Sequence, residues 1–149
     1  MDVKPSNFFV RECGSLALGD FGQAVEISKI SKLRDDDVEG DSVFMAPELL
    51  QTIIPPVKRI TTKADIFSLG ASLLEITLGI NLPKNGVMWQ KLRQAGEGQI
   101  EFSPNSKRQN GEVEQLITLL MEPDPNNRPS SDEILLHPNL QKFFLQYKD

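Results

Sequence analysis

The chain has 149 residues, 39% of them hydrophobic, with 16 basic against 21 acidic side chains and a formal charge of −5. That length and apolar content are enough to bury a core, which excludes a disordered polypeptide. The acidic balance gives no electrostatic footprint for nucleic acid or an anionic membrane surface, so neither partner is implied. Cys13, the only cysteine, cannot close an internal disulfide, and with the only histidine, His137, it makes no zinc site without carboxylate help. The chain reads as intracellular. No apolar run approaches the roughly 20 residues that span a bilayer, and the first residues lack the charged-then-apolar pattern of a signal peptide.

In chain order, "NFFV" and "SLALGD" are short apolar runs separated by "RECG", which predicts a small β-hairpin over residues 7 to 19. Polar "EISKISKLRDDDVEGDS" predicts a long loop from Glu26 to Ser42. "APELLQ" carries Pro47 near the first turn of a short helix. "TTKADIFSLGASLLEITLG" is the strongest helix, with Ile66, Leu69, Leu73 and Ile76 at helical spacing, other apolar residues on the remaining faces and Gly79 closing it. A helix apolar on most of its circumference is a buried one. "VMWQKLRQ", "GEVEQLITLLMEPDP" and "SSDEILLHPNLQKFFLQY" predict three more helices, the last opened by a capping box from Ser130 to Glu133. "GEGQIE", from Gly96, reads as a surface turn. Helices far outnumber strands, and nothing alternates as a parallel sheet would require.

Phosphoryl transfer asks a protein for a carboxylate facing the acceptor hydroxyl, a cation beside the transferring group and oxygen ligands for magnesium. The opening supplies all three kinds. "DVKPSN" fits the kinase catalytic-loop pattern, and thirteen residues after its asparagine comes "DFG". "MAPE" follows at Met45 to Glu48, "ADIFSLG" at Ala64 to Gly70 and "NRP" at Asn127 to Pro129. In this order the motifs resemble the C-terminal lobe of a protein kinase over nearly the whole chain. The fold implied is mainly α, a kinase-like C-lobe with a small β-hairpin near the N-terminus. Its domain would run over 1–145, with a catalytic loop at 2–7, an activation segment at 20–48 and a helical subdomain at 49–145.

The resemblance implies roles. Asp2 would be the base, Lys4 the γ-phosphate partner, Asn7 and Asp20 the ligands of Mg2+ and thereby of ATP. Glu48 and Arg128 would form a buried ion pair, whose loss on one side costs about 3–5 kcal/mol. Asp65 would hold the catalytic-loop backbone. Asp41 follows Gly40 where most serine/threonine kinases carry threonine, and its carboxylate is expected to pair with Lys4. Met1 stands where many kinases keep an arginine that receives a phosphate; it reads either as an initiator methionine or as the native residue, and in the second case the acidic loop is expected to order without phosphorylation.

"EGDSVFMAPELLQ" and "LPKNGVMWQKLRQ" look like the Wee/Myt family of mitosis-inhibitory kinases, and "EPDPNNRPS" agrees. That family phosphorylates a tyrosine, and in one branch also the adjacent threonine, of cyclin-dependent kinases. A cyclin-dependent kinase is thus the implied protein substrate, and the nucleus or cytoplasm the implied location. A glycine-rich loop, a strand lysine and its helix glutamate have no counterpart in the chain, so it is expected to show no turnover by itself and to bind magnesium-ATP weakly. Two alternatives stay open: another serine/threonine kinase branch, and a non-catalytic interaction module working through the Trp89 helix.

Overall fold

The computed structural model describes residues 2–34, 37–50, 60–94, 111–138 and 140–141. Met1, the middle of the acidic loop at 35–36, the end of the "APELLQ" turn at 51, the expected surface turn at 96–101 and the tail of the last expected helix from 142 lie outside them.

The hairpin forms from two three-residue strands, β1 (Phe8–Val10) and β2 (Leu16–Leu18), paired antiparallel with Phe8 opposite Leu18 and Val10 opposite Leu16. Gly14, at φ +80, turns the chain, and its N–H donates to the carbonyl of Arg11 at 2.8 Å. A side chain disfavours that conformation, which is why glycine serves there. Beyond the base of the hairpin the Gly19 N–H donates to the Asn7 carbonyl at 2.9 Å. That bond draws residues 7 and 20 to the same end of the ribbon.

Both core clusters of the described residues form around α1 (Thr62–Leu78), capped by the Thr61 hydroxyl and closed by Gly79 in the left-handed region. Ala64, Phe67, Ala71 and Leu74 are buried on one stripe, facing a cluster that includes Phe44, Ala46, Leu49, Ile60, Leu82 and Ile117. Burial of a side chain such as Phe67 or Leu74 contributes about 1.5–3 kcal/mol. A second stripe through Ile66 meets Leu116 and Leu120 of α3 (Gly111–Leu120) and Ile134 of α4 (Ser131–Leu135). The helix is therefore central, but not evenly: Ile76, one of the expected periodic positions, is exposed, while Leu69 and Leu73 are half-buried. Buried Ser68 and Ser72 are tolerated because each hydroxyl donates to the carbonyl four residues back, at 3.2 and 2.8 Å.

Three expectations change. The Glu26–Ser42 loop contains a 3-10 turn over Ile27–Lys32, whose Ile30 is buried in the main core, with Val25, Leu33 and Val38 packed around the same cluster. "APELLQ" gives a single 3-10 turn, Pro47–Leu50. The last helix is not continuous: α4 ends at Leu135, two residues before His137, because Pro138 disfavours helical backbone before it. Its start matches the sequence, since Ser130 N–H donates to Glu133 Oε2 at 2.7 Å and Glu133 N–H to the Ser130 hydroxyl at 3.2 Å. Among the described residues no helix is long and apolar enough to cross a membrane.

Gly70 sits where α1 meets α3. A Cβ there would lie 2.7 Å from Met121 Cγ and 2.8 Å from Leu120 Cβ, closer than real contacts allow. Alanine gains about 1 kcal/mol of helix propensity, but overpacking costs typically 1–3 kcal/mol. Gly70→Ala is expected to lower stability in urea denaturation by up to about 2 kcal/mol; a rise in midpoint would contradict this packing.

Candidate active site

Asp2 is the hub of the N-terminal end. Its Oδ2 faces Lys4 Nζ at 2.8 Å and accepts from Asn7 Nδ2 at 3.2 Å, while Oδ1 accepts the backbone N–H of Asp41 at 3.2 Å. Asn7, buried and ending the 3-10 turn Pro5–Asn7, also donates Nδ2 to the Asp2 carbonyl at 2.8 Å. Burial works to raise the Asp2 pKa, but the hydrogen bonds from Lys4, the Asp41 backbone and Asn7 outweigh it and hold it below the ordinary 3.8. Lys4 moves the opposite way: its bond to Asp2 raises it above 10.5 against partial burial, and the charges of Asp41 and Asp20 add to the rise. Both groups are charged across the physiological range.

The expectation that Asp41 pairs with Lys4 does not hold. Lys4 pairs with Asp2, two residues away, and the Asp41 carboxylate accepts from the Val43 N–H at 3.0 Å, a local turn bond within easier reach. The link between Asp41 and the opening segment runs through its backbone N–H instead.

Asp20 is exposed and takes φ 56, the one left-handed non-glycine residue among those described, with its Oδ1 accepting from the Gly22 N–H at 3.3 Å. Because Asn7 spends its amide nitrogen on Asp2, the side-chain atom left to ligate a cation is the amide oxygen, Oδ1. An amide oxygen and a carboxylate at one end of the hairpin suit a hard cation such as magnesium, which takes few protein ligands and fills the rest from water and phosphate. Asp65, in the first turn of α1, lines with Asp2, Val3, Asp20 and Phe21 a cavity of about 190 Å³. On the other side of Asp2 an open cleft of about 500 Å³ is lined by Lys4, Glu39, Gly40, Asp41 and Met45.

Glu48 and Arg128 meet from 80 residues apart. Arg128 donates Nη1 to Oε1 at 2.7 Å and Nη2 to Oε2 at 2.8 Å. Its other N–H groups reach the carbonyls of Glu122 (2.6 Å), Lys63 (2.9 Å) and Pro123 (3.1 Å), while Lys63 Nζ donates to the carbonyl of Arg128 itself. All five guanidinium N–H donors are used.

The reading of the sequence gives no role to Arg93, on α2 (Gly86–Gln94), yet it is among the most buried charged residues described, at 5% exposure. Its side chain reaches the carbonyls of Ser42, Val43 and Met45 and stacks on Trp89. The signal available was its spacing, one helical turn after the only tryptophan.

The model of the protein kinase domain matches residues 1–140. The chain belongs to the protein kinase family, a family of phosphotransferases. A Wee1-like protein kinase of Oryza sativa subsp. japonica is 40% identical over 142 residues, covering 95% of this chain and 24% of that protein. A probable protein kinase of Dictyostelium discoideum is 38% identical over 141 residues, with 95% and 36% covered. A membrane-associated tyrosine- and threonine-specific cdc2-inhibitory kinase of Drosophila melanogaster is 36% identical over 149 residues, with 99% and 25% covered. The resemblance to Wee-type kinases is thus borne out, and the chain spans roughly a quarter to a third of these curated relatives.

Folded Asp2 holds its proton less tightly than in the unfolded chain. Its contribution to stability is therefore full above pH 3.8 and lost as pH falls through its lower folded value. Carboxyl-carbon NMR should place the Asp2 midpoint below 3.8, and Lys4→Met should move it upward by removing the strongest opposing bond; a wild-type midpoint at or above 3.8 would contradict the geometry.

Proposed function

We propose that the chain is the C-lobe of a Wee/Myt-type protein kinase within 1–145, using residues 2–7 as catalytic loop, 20–48 as activation segment and 49–145 as helical subdomain. As part of the whole kinase it serves transfer of phosphate from ATP to a tyrosine, and in the Myt branch also to the adjacent threonine, of a cyclin-dependent kinase in the nucleus or cytoplasm, and so restrains mitotic entry. The observation that best supports the chemistry is Asp2, ionised and held by three donors at the edge of an open cleft. The named specificity of the Drosophila relative supports the acceptor.

An acceptor hydroxyl in that cleft meets Asp2 on one side, with Lys4 beside it. As its oxygen bonds to the γ-phosphorus and ADP leaves, the hydroxyl proton passes to Asp2. A carboxylate with a depressed pKa is a weak base, so Asp2 serves chiefly to orient the hydroxyl and takes the proton late, in keeping with a loose transition state. Lys4 offsets charge on the transferred group. Asn7 Oδ1 and the Asp20 carboxylate would hold magnesium, which neutralises phosphate charge when bound. Glu48, Arg128 and Asp65 support the site without touching the reactants. Trp89 lends little to the interaction-module alternative, because its indole N–H is already given to the Ser42 carbonyl at 3.0 Å.

The test is phosphorylation of a cyclin-dependent kinase by a full-length protein carrying this chain, with the phosphosite read by mass spectrometry. Phosphate on tyrosine, lost about 10²–10⁴-fold in Asp2→Asn, is the expected result. Phosphate confined to serine or to unrelated threonines, or full activity in Asp2→Asn, would refute the reading.

A further inference from the structure

A guanidinium buried to 5% exposure usually has a carboxylate opposite it. Arg93 has carbonyls instead. Nε donates to Met45 at 3.1 Å, Nη2 to Ser42 at 2.6 Å and to Val43 at 2.8 Å, and Nη1 to Trp89 at 3.1 Å. Its Cζ lies 3.9 Å from the centroid of the Trp89 ring and 6.0 Å from that of Phe67. Burial lowers its pKa to about 10, so it keeps its charge at neutral pH. The Trp89 Nε1–H adds a second donor to the Ser42 carbonyl, which then has both lone pairs engaged.

What Arg93 grips is a knot. The N–H groups of Phe44 and Met45 donate to the Asp41 carbonyl at 2.9 and 3.0 Å, the Val43 N–H donates to the Asp41 side chain, and the Asp41 N–H donates to Asp2. The carbonyl grip on one face of residues 42–45 therefore fixes the direction of the N–H that orients Asp2 on the other. Met45, held by its carbonyl, also lines the cleft beside Asp2. No phosphate is needed for any of these bonds.

We propose that Arg93, braced by Trp89, is a positioning residue of the transfer reaction: it locks residues 41–45 so that Asp2 and the acceptor cleft keep their working geometry without phosphorylation. The role rests on the kinase reading above, while the lock itself does not. Lysine cannot replace it, because an ammonium has three donors on a flexible stem and no planar face to stack on an aromatic ring.

Two measurements separate the lock from the reaction. In the 149-residue chain, hydrogen exchange of the Asp41, Val43, Phe44 and Met45 amides should speed up about ten- to a hundredfold in Arg93→Lys, with α1 amides unchanged. Trp89→Phe, which keeps a ring for stacking and loses only the indole donor, should give a smaller rise, about threefold to tenfold, and remains informative where Arg93→Lys fails to fold. In the full-length kinase the same variants should lower kcat, and raise KM for the protein acceptor, with KM for ATP held within about twofold. Unchanged exchange at residues 41–45 would overturn the lock. Faster exchange with unchanged kcat and acceptor KM would overturn the positioning role and leave the kinase reading intact. A wild-type protein without turnover would defeat that reading and the positioning role together, whatever exchange shows.

Discussion

A guanidinium with none of its side-chain surface in water has to find a partner for every N–H, and Arg128 finds them on three separate stretches of chain. Two donors go to Glu48, one to Lys63 at the start of α1, and two to the Pro-rich turn at 122–123. Each of these stretches alone is irregular or terminal backbone. Joined through one cation, they close the end of the helical core around the turn that carries Glu48.

The same physics appears a second time at Arg93, whose four hydrogen bonds all go to backbone carbonyls and need no carboxylate, and both guanidinium groups lie near the ring of Phe67. That ring, fully buried on α1, lies 5.0 Å from the Arg128 guanidinium and 6.0 Å from that of Arg93. One arginine grips Glu48, the other grips Ser42 to Met45. The segment is thereby tied at one end to α2 through Arg93 and at the other to the start of α1 through Arg128, and its upstream neighbour, Asp41, reaches Asp2. Burial of α1 is thus connected to the orientation of an exposed-cleft carboxylate through a short chain of bonds, each with its own partner.

Much of this architecture was legible in the sequence. Local signals were enough for α1 with its Gly79 stop, for the hairpin around Gly14 and for the Ser130–Glu133 capping box, because each depends on neighbours within a few residues. Pro138 was equally local, and reading through it made α4 too long. The face of α1 that is buried was not legible, since it depends on where Leu116, Leu120 and the 44–49 turn arrive. For the site, Asp2, Lys4, Asn7 and Asp20 stand out by residue type and order, yet which cation pairs with which carboxylate is a competition among groups in reach; Lys4 chose Asp2, and Asp41 chose a backbone N–H. Arg93 was hidden for a further reason: its partners are backbone carbonyls 48 to 51 residues away, which leave no mark in side-chain chemistry.

The account stands on the claim that the Glu48–Arg128 pair, rather than either residue's own burial, joins the 42–48 segment to the helical core. A double-mutant cycle of Glu48→Gln and Arg128→Met by chemical denaturation tests it most directly. Each single change should cost about 3–5 kcal/mol by stranding its partner, and the double variant should cost less than the sum by about 2–3 kcal/mol. Additive losses would mean that the two side chains act independently, and would contradict the account.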